Sequence, residues 1–324
     1  MPKSESASFD DTMSVLITGA CGFLGVVVTE LFLQQGSHIT ALDLPNAIEK
    51  MPSDLVENPR LHTLPADLLN DDFKSELPSQ IDYVVHLAGL AAAGESFKNP
   101  DLYEQVNSVG TRILLNALEA HAIKKFILSS TAAVYGKESS DNTDEDVSLN
   151  PLSPYARSKV LAEQSVLKQG KSSGFNTVIL RFFNIYGPGQ RMGQSDIITL
   201  FIRSILEEGK IVILGDGSRT RSFIHVRDCA RAILLSCTAD TGDSAIINVC
   251  SEDSTSIIEL AEKLIQFSGR KDILIEYKQQ DDPFVMKSGC TGTAAQTLMG
   301  FRPQIPFELG LSETYEFLST LQPQ

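Results

Sequence analysis

SVLITGACGFLG, Ser14 to Gly25, runs an apolar, largely β-branched segment into three glycines at positions 19, 22 and 25. SVLIT has the composition of a strand buried on both faces. The three glycines then stand where a strand-to-helix turn needs them. One site turns the chain sharply, one lets backbone approach a pyrophosphate, and one lets the helix pack closely on the sheet. A glycine-rich turn alone is a weak signal. Between a strand and an amphipathic helix from 24 to 35, closed by Gly36, it becomes a dinucleotide-binding signal.

Working outward, HITALD (38–43), LHTLPAD (61–67), YVVHLA (83–88), KFILSS (125–130) and TVILRF (177–182) read as further strands. Helices fill the gaps, chiefly over 102–121 and 155–168. The alternation predicts an α/β fold, a Rossmann doubly wound parallel sheet. After Gly187 the rhythm loosens: 197–209 and 255–269 read as helices around a strand at 210–214. We expect a polar lead-in over 1–12 without ordered structure and an NAD-binding domain over 13–186. A smaller, partly interleaved α/β substrate domain follows over 187–324, with some chain returning to the first.

Of the 324 residues, 42% are apolar, enough for a sizeable core. The formal charge of −14, from 41 acidic and 27 basic side chains, argues against a nucleic-acid partner. An anionic substrate therefore needs a local basic pocket. Cysteines at 21, 229, 237, 250 and 290 have no metal-binding spacing, and their odd number argues against a disulfide framework. That points to a reducing compartment and to no metal. The first dozen residues lack the apolar core of a signal peptide, and no run approaches the roughly 20 apolar residues that span a bilayer. The expectation is a cytoplasmic protein without a membrane partner.

Asp43 ends the second strand, where a carboxylate can accept hydrogen bonds from both ribose hydroxyls of an adenosine. The same charge would repel a 2′-phosphate, so NAD is expected over NADP. Asp67 has two readings, a contact to the adenine edge or a helix N-cap. His86, inside an apolar strand without a spaced partner, reads as a core residue.

SPYARSK (153–159) places Tyr155 and Lys159 one helical turn apart, with Pro154 at the helix start. A phenol with a pKa near 10 is a base at neutral pH only if nearby positive charge stabilises its anion. Lowering it by about 3 units requires roughly 4 kcal/mol of differential stabilisation. Ser129, Ser130 and Thr131 supply hydroxyls at a strand's carboxyl end, where such sheets bind ligands.

Together, GACGFLG, HLAG (86–89), SSTAAVYG (129–136), YARSK (155–159), RFFNIYGPGQ (181–190) and GDGSRTRSFIHVRD (215–228) resemble the extended short-chain dehydrogenase/reductases of the nucleotide-sugar epimerase/dehydratase family. The resemblance covers nearly everything from Met13 to about Phe317. It implies Thr131, Tyr155 and Lys159 as the catalytic set, with Tyr155 as base and Lys159 as holder of the nicotinamide ribose. It implies cofactor contacts at Gly19, Gly22, Phe23, Leu24, Gly25, Asp43, Asp67, Leu68, Leu87, Ala88 and Gly89, besides Tyr155 and Lys159. Ser96, Thr131, Asn184 and Arg221 are implied at the substrate, and Asn107 at the core of the fold.

Departures narrow the reaction. Sugar dehydratases and uronate decarboxylases of the family carry acidic residues directly after the catalytic Ser/Thr. Here Ala132 and Ala133 can move no proton. HLAGLAAAGES (86–96) is similar to a stretch of UDP-galactose 4-epimerases, with Ala91 in place of their lysine. The QQDDP region (279–283) replaces an arginine that clamps phosphate. Matching 299–301 to the family's LGW puts Gly289 at the position that gates space beside the sugar, where its size would admit an N-acetyl group. The expected activity is NAD-dependent epimerisation of a UDP-hexose at C4. The alternatives are a dehydrogenase or ketoreductase of a nucleotide-linked sugar or small alcohol, and a non-catalytic dinucleotide sensor. The resemblance also implies a homodimer through the helices at 102–121 and 155–168. Leu114, Leu115 and Leu118 either contribute to that interface or face the sheet.

Overall fold

The structure, a computed structural model, describes residues 13–192, 196–279 and 287–321. The 1–12 lead-in and most of the QQDDP region lie outside the described residues.

The strands are β1 (Ser14–Thr18), β2 (His38–Asp43), β3 (Leu61–Pro65), β4 (Tyr83–His86), β5 (Lys125–Thr131), β6 (Asn176–Phe182) and β7 (Asn184–Tyr186), then β8 (Lys210–Leu214), β9 (Thr220–His225), β10 (Ser244–Val249), β11 (Ser254–Ser256), β12 (Leu274–Lys278) and β13 (Lys287–Ser288). Seven of them form one sheet in the order β10-β6-β5-β4-β1-β2-β3, parallel throughout. This is the Rossmann arrangement. The connections change direction between β1 and β4, which opens a crevice at the carboxyl ends of these strands. β10, from beyond residue 187, pairs with β6 in the register Ser244↔Thr177, so the later chain does return to the large sheet.

Both faces of the sheet are covered, which is why its strands are apolar on both sides. On one face Ile17, Val85 and Ile127 pack with Val28, Phe32 and Ile233. On the other Leu16, Val84 and Phe126 pack with Leu114, Ala162 and Val166. Leu114, Leu115 and Leu118 are all buried in this second layer, so they face the sheet and are unavailable to an interface. The exposed apolar side chains in this region are Phe97, Leu102 and Leu161.

The helix expected at 155–168 spans Pro154–Ser173. The Ser153 side chain caps it by accepting from the Ala156 amide, and Gly174 stops it in the left-handed conformation at φ 77°. The helix expected at 102–121 is interrupted. Helical turns at Pro100–Glu104 and Gly110–Ala117 flank a π-turn at Gln105–Val109 that carries Asn107.

A second core lies outside the large sheet. Ile202, Ile205, Ile211, Ile213, Leu260, Leu264 and Leu311 form it, with β9 pairing β7, β11 and β13 beside it and β8 pairing β12. One expectation fails here. Cys250, just after β10, and Cys290, just after β13, form a disulfide across 40 residues. The odd count of cysteines concealed it because pairing depends on where β10 and β13 bring the chain. Cys21, Cys229 and Cys237 are free.

Candidate active site

The crevice begins at the glycine loop. Gly19 has φ +71°, and a Cβ there would stand 2.6 Å from the Ala88 amide nitrogen. Gly25 is held more tightly, since its Cβ would lie 2.0 Å from the Gly19 carbonyl oxygen. Neither site accepts a side chain without moving backbone. Gly22 is the N-cap of the Phe23–Gln34 helix, with no side-chain cap. The first turn, holding Phe23 and Leu24, therefore presents its amides to the crevice, a favourable arrangement for a pyrophosphate.

Asp43 stands beside this loop. Its Oδ2 accepts from the Cys21 amide at 2.8 Å and its Oδ1 from the Leu44 amide at 2.8 Å. Burial, with Asp43 adding to it, pushes the Cys21 thiol up to about 12, so it is no nucleophile. β3 stops at Pro65, which leaves Asp67 in a turn where its Oδ1 accepts from the Leu69 amide at 2.9 Å; Leu68 beside it is buried. β4 stops at His86, so Leu87, Ala88 and Gly89 form the following loop. His86 bridges Thr18 Oγ1 at 2.6 Å and Thr111 Oγ1 at 2.8 Å. Burial drives its pKa down to about 3, so it is a neutral core residue, as its surroundings in the sequence suggest.

Tyr155 and Lys159 meet this crevice from the Pro154–Ser173 helix. Thr131, at the end of β5, favours the Tyr155 phenolate, and its Oγ1 accepts from the Ala133 amide at 3.2 Å. Tyr103 meets the Tyr155 ring edge-on at 6.3 Å and donates its hydroxyl to Ala92 O at 2.8 Å. Lys159 is buried, at 7% exposure. A Cβ on Gly89 would lie 3.8 Å from its Nζ. Asn107 fixes this junction by accepting from Leu90 N–H at 2.8 Å and donating to Ser158 Oγ at 2.9 Å. The three residues read from the sequence as a catalytic set thus share one end of the sheet.

Burial raises the Tyr155 pKa above its ordinary value, the Thr131 hydroxyl opposes that, and Tyr103 adds to it. Lys159 is lowered to about 8 by burial, partly offset by Glu163. The protein alone therefore does not lower Tyr155.

On β7, Asn184 Nδ2 donates to Ser222 O at 2.8 Å, and on β9 Arg221 Nη1 donates to Thr220 O at 2.7 Å. Both line a cavity of about 580 Å³ with Arg219, Phe201, Phe223 and Ile257. Burial, then the Arg219 charge, lowers Arg221 to about 10, so it remains cationic at neutral pH. Arg219 and Arg221 bring positive charge to this cavity, which Asp196 also lines. Ser96 is buried with its hydroxyl donated to Ala93 O at 2.6 Å. Ala132 and Ala133 follow Thr131 in a short 3-10 turn.

Gly289, aligned with the position that gates space beside the sugar, is closely packed. A Cβ there would stand 2.6 Å from Asp141 O and 2.9 Å from Ser254 Oγ. Its amide and carbonyl bond Ser140 O and the Thr143 amide. The missing side chain permits this close strand-to-loop pairing.

Sequence reasoning did not single out Arg219, Tyr103 or the Glu163–Arg181 pair. Arg181 was the legible signal among them, since a cation in the otherwise apolar TVILRF strand requires a buried partner.

The residues present fit a dinucleotide. Gly19 and Gly25 make a cradle that a Cβ would fill, and the Lys159 amine has no hydrogen-bond partner among the described residues. A sheet-crevice enzyme of the tyrosine–lysine type is thereby defined. A model of the NAD dependent epimerase/dehydratase family matches residues 15–250, and the chain belongs to that family, within the extended short-chain dehydrogenase/reductases. The UDP-glucuronate 4-epimerase of Thermodesulfobacterium geofontis (strain OPF15) is 30% identical over 312 residues, 92% of this chain and 94% of its own. The UDP-glucose 4-epimerase of Halalkalibacterium halodurans is 29% identical over 313 residues, 91% and 92% respectively. A solved UDP-glucuronic acid 4-epimerase from Bacillus cereus, in complex with UDP-glucuronic acid and NAD, matches with a TM-score of 0.86 at 28% identity, over 95% of this chain and 100% of that one.

Proposed function

We propose that the chain is an NAD-dependent 4-epimerase of a UDP-hexose. The observation that carries this reading is the convergence of Thr131, at the carboxyl end of β5, with Tyr155 and Lys159 of the Pro154–Ser173 helix, followed by two alanines where a dehydration would need acid and base. Gly19, Gly22 and Gly25 with the first helical turn would hold the pyrophosphate, Asp43 the adenosine ribose, and Lys159 the nicotinamide ribose. NAD, when bound, supplies a hydride acceptor and donor and a positive ring that favours the phenolate. Tyr155 takes the proton of the C4 hydroxyl and later returns it, while Thr131 orients that oxygen. Arg221 and Asn184 anchor the diphosphate, so the sugar can turn while the nucleotide stays bound.

The larger sheet is assigned to the cofactor and the second core to the nucleotide-sugar. Leu102 and Leu161, with Phe97 just before the first helix, are the apolar side chains we assign to a homodimer face along the two interface helices. Composition favours the cytoplasm, whereas the Cys250–Cys290 bond argues for an oxidising setting. Thiol counting on freshly isolated protein decides between them.

The test is incubation with UDP-glucose, UDP-N-acetylglucosamine and UDP-glucuronate without added reductant. Appearance of a C4 epimer supports the reading. Accumulation of NADH in proportion to product identifies a dehydrogenase instead, and no turnover with any nucleotide-sugar identifies a sensor.

A further inference from the structure

Glu163 lies one helical turn beyond Lys159, on the same face of the Pro154–Ser173 helix. It is 2% exposed and fully engaged. Arg181, on β6 and also 2% exposed, donates Nε to its Oε1 at 3.1 Å and Nη2 to its Oε2 at 2.7 Å. Ser130, the neighbour of Thr131, donates its hydroxyl to the same Oε1. Arg181 Nη1 continues to the Tyr135 hydroxyl at 2.9 Å, which in turn donates to Asn248 Oδ1 at 2.7 Å. An ion pair this deep contributes little net stability, because both charges lose their water. Its position calls for another explanation.

We propose that Glu163 is a positioning residue for the catalytic lysine: held in place by Arg181 and Ser130, its carboxylate is the fixed negative charge that keeps the buried Lys159 amine protonated. The idea rests on the functional reading above, in which Lys159 must be an ammonium to hold the ribose and favour the Tyr155 phenolate. Among the described residues, the surrounding elements supply Lys159 with no other negative charge. β4 contributes His86, which is neutral, and the Gln105–Val109 segment contributes Asn107, also neutral. Tyr103 lies beyond Tyr155, and β5 presents the hydroxyls of Ser130 and Thr131. Among the described residues, Glu163 is the anion that counteracts the loss of solvation at Lys159, and Arg181 on β6 holds its carboxylate. The bidentate fork fixes the carboxylate in one place, which a solvated glutamate would not achieve.

The test follows the Lys159 proton directly and needs no substrate. Lys159 is titrated by NMR in protein carrying ¹³C at lysine Cε, with the resonance assigned by Lys159→Arg. Glu163→Gln alone leaves Arg181 buried and unpaired, so the decisive variant is Glu163→Gln with Arg181→Met, which removes both charges together. We expect the Lys159 midpoint to fall by about one pH unit in this folded double variant. Arg181→Lys, which keeps a cation behind Glu163, should leave it within a few tenths of a unit. A midpoint unchanged in the double variant overturns the proposal, because a merely structural pair would lower stability without moving that titration. Should the double variant fail to fold, Arg181→Met alone decides, since it bares the carboxylate and must raise the midpoint. Absence of epimerase activity in the unaltered protein would sink the functional reading while leaving this titration readable.

Discussion

Thr131, at the end of β5, favours the anion of Tyr155, in the first turn of the Pro154–Ser173 helix, against the effect of burial. Because the phenol is raised above its usual pKa by burial, its activity as a base has to increase with pH until Lys159 loses its proton. Tyr155→Phe should cut kcat by about 10²- to 10⁴-fold. Bound NAD should be retained, as the glycine loop is untouched. A variant with full turnover and a normal pH profile would remove Tyr155 from the chemistry.

Lys159 is buried with its pKa lowered to about 8 from 10.5. The unfolded chain thus binds more protons between these values, and stability from this group rises with pH through that window. Below pH 8 the buried charge costs about 3 kcal/mol. Lys159→Met should therefore stabilise the apoprotein in urea melts at pH 7 while abolishing turnover. The gain should shrink at pH 10, and equal gains at both values would contradict the assignment.

His86 behaves in the opposite range. Its folded pKa of about 3 lies below the ordinary 6.5, so the unfolded state takes up a proton first as pH falls below 6.5. Stability present at neutral pH is then lost progressively down to pH 3. Replacing His86 with Gln, which can still bridge Thr18 and Thr111, should flatten the fall in midpoint denaturation temperature between pH 6.5 and 4. A slope as steep as that of the unaltered protein would assign the acid loss to the carboxylates.

Gly25→Ala forces a methyl to 2.0 Å from the Gly19 carbonyl. The loop has to shift, with a stability loss of about 1–3 kcal/mol. NAD affinity should fall at least about tenfold because the cradle is displaced. Calorimetric titration with NAD provides the check, and unchanged affinity would mean the pyrophosphate binds elsewhere.

Arg221 lines a cavity of the second core with Asn184, Arg219 and Phe223. Arg221→Ala should raise KM for the nucleotide-sugar by about 10- to 100-fold, the loss of a charge-assisted phosphate contact, with a smaller effect on kcat. NAD binding should not change. A KM equal to that of the unaltered protein would show that the diphosphate lies elsewhere.

Local pattern alone was enough for the parallel sheet, the glycine loop and the Tyr155–Lys159 spacing. Strand apolarity, glycine chemistry and a helical period of four are properties of neighbouring residues. The sheet's order, β10 at its far edge and the crevice between β1 and β4 came only with the assembled fold. So did the inward direction of Leu114, Leu115 and Leu118, the tight seat of Gly289 against Asp141, the Cys250–Cys290 bond and the Glu163–Arg181 pair. Each of these joins residues distant in the chain or turns on which face packs inward, and close packing in three dimensions decides both.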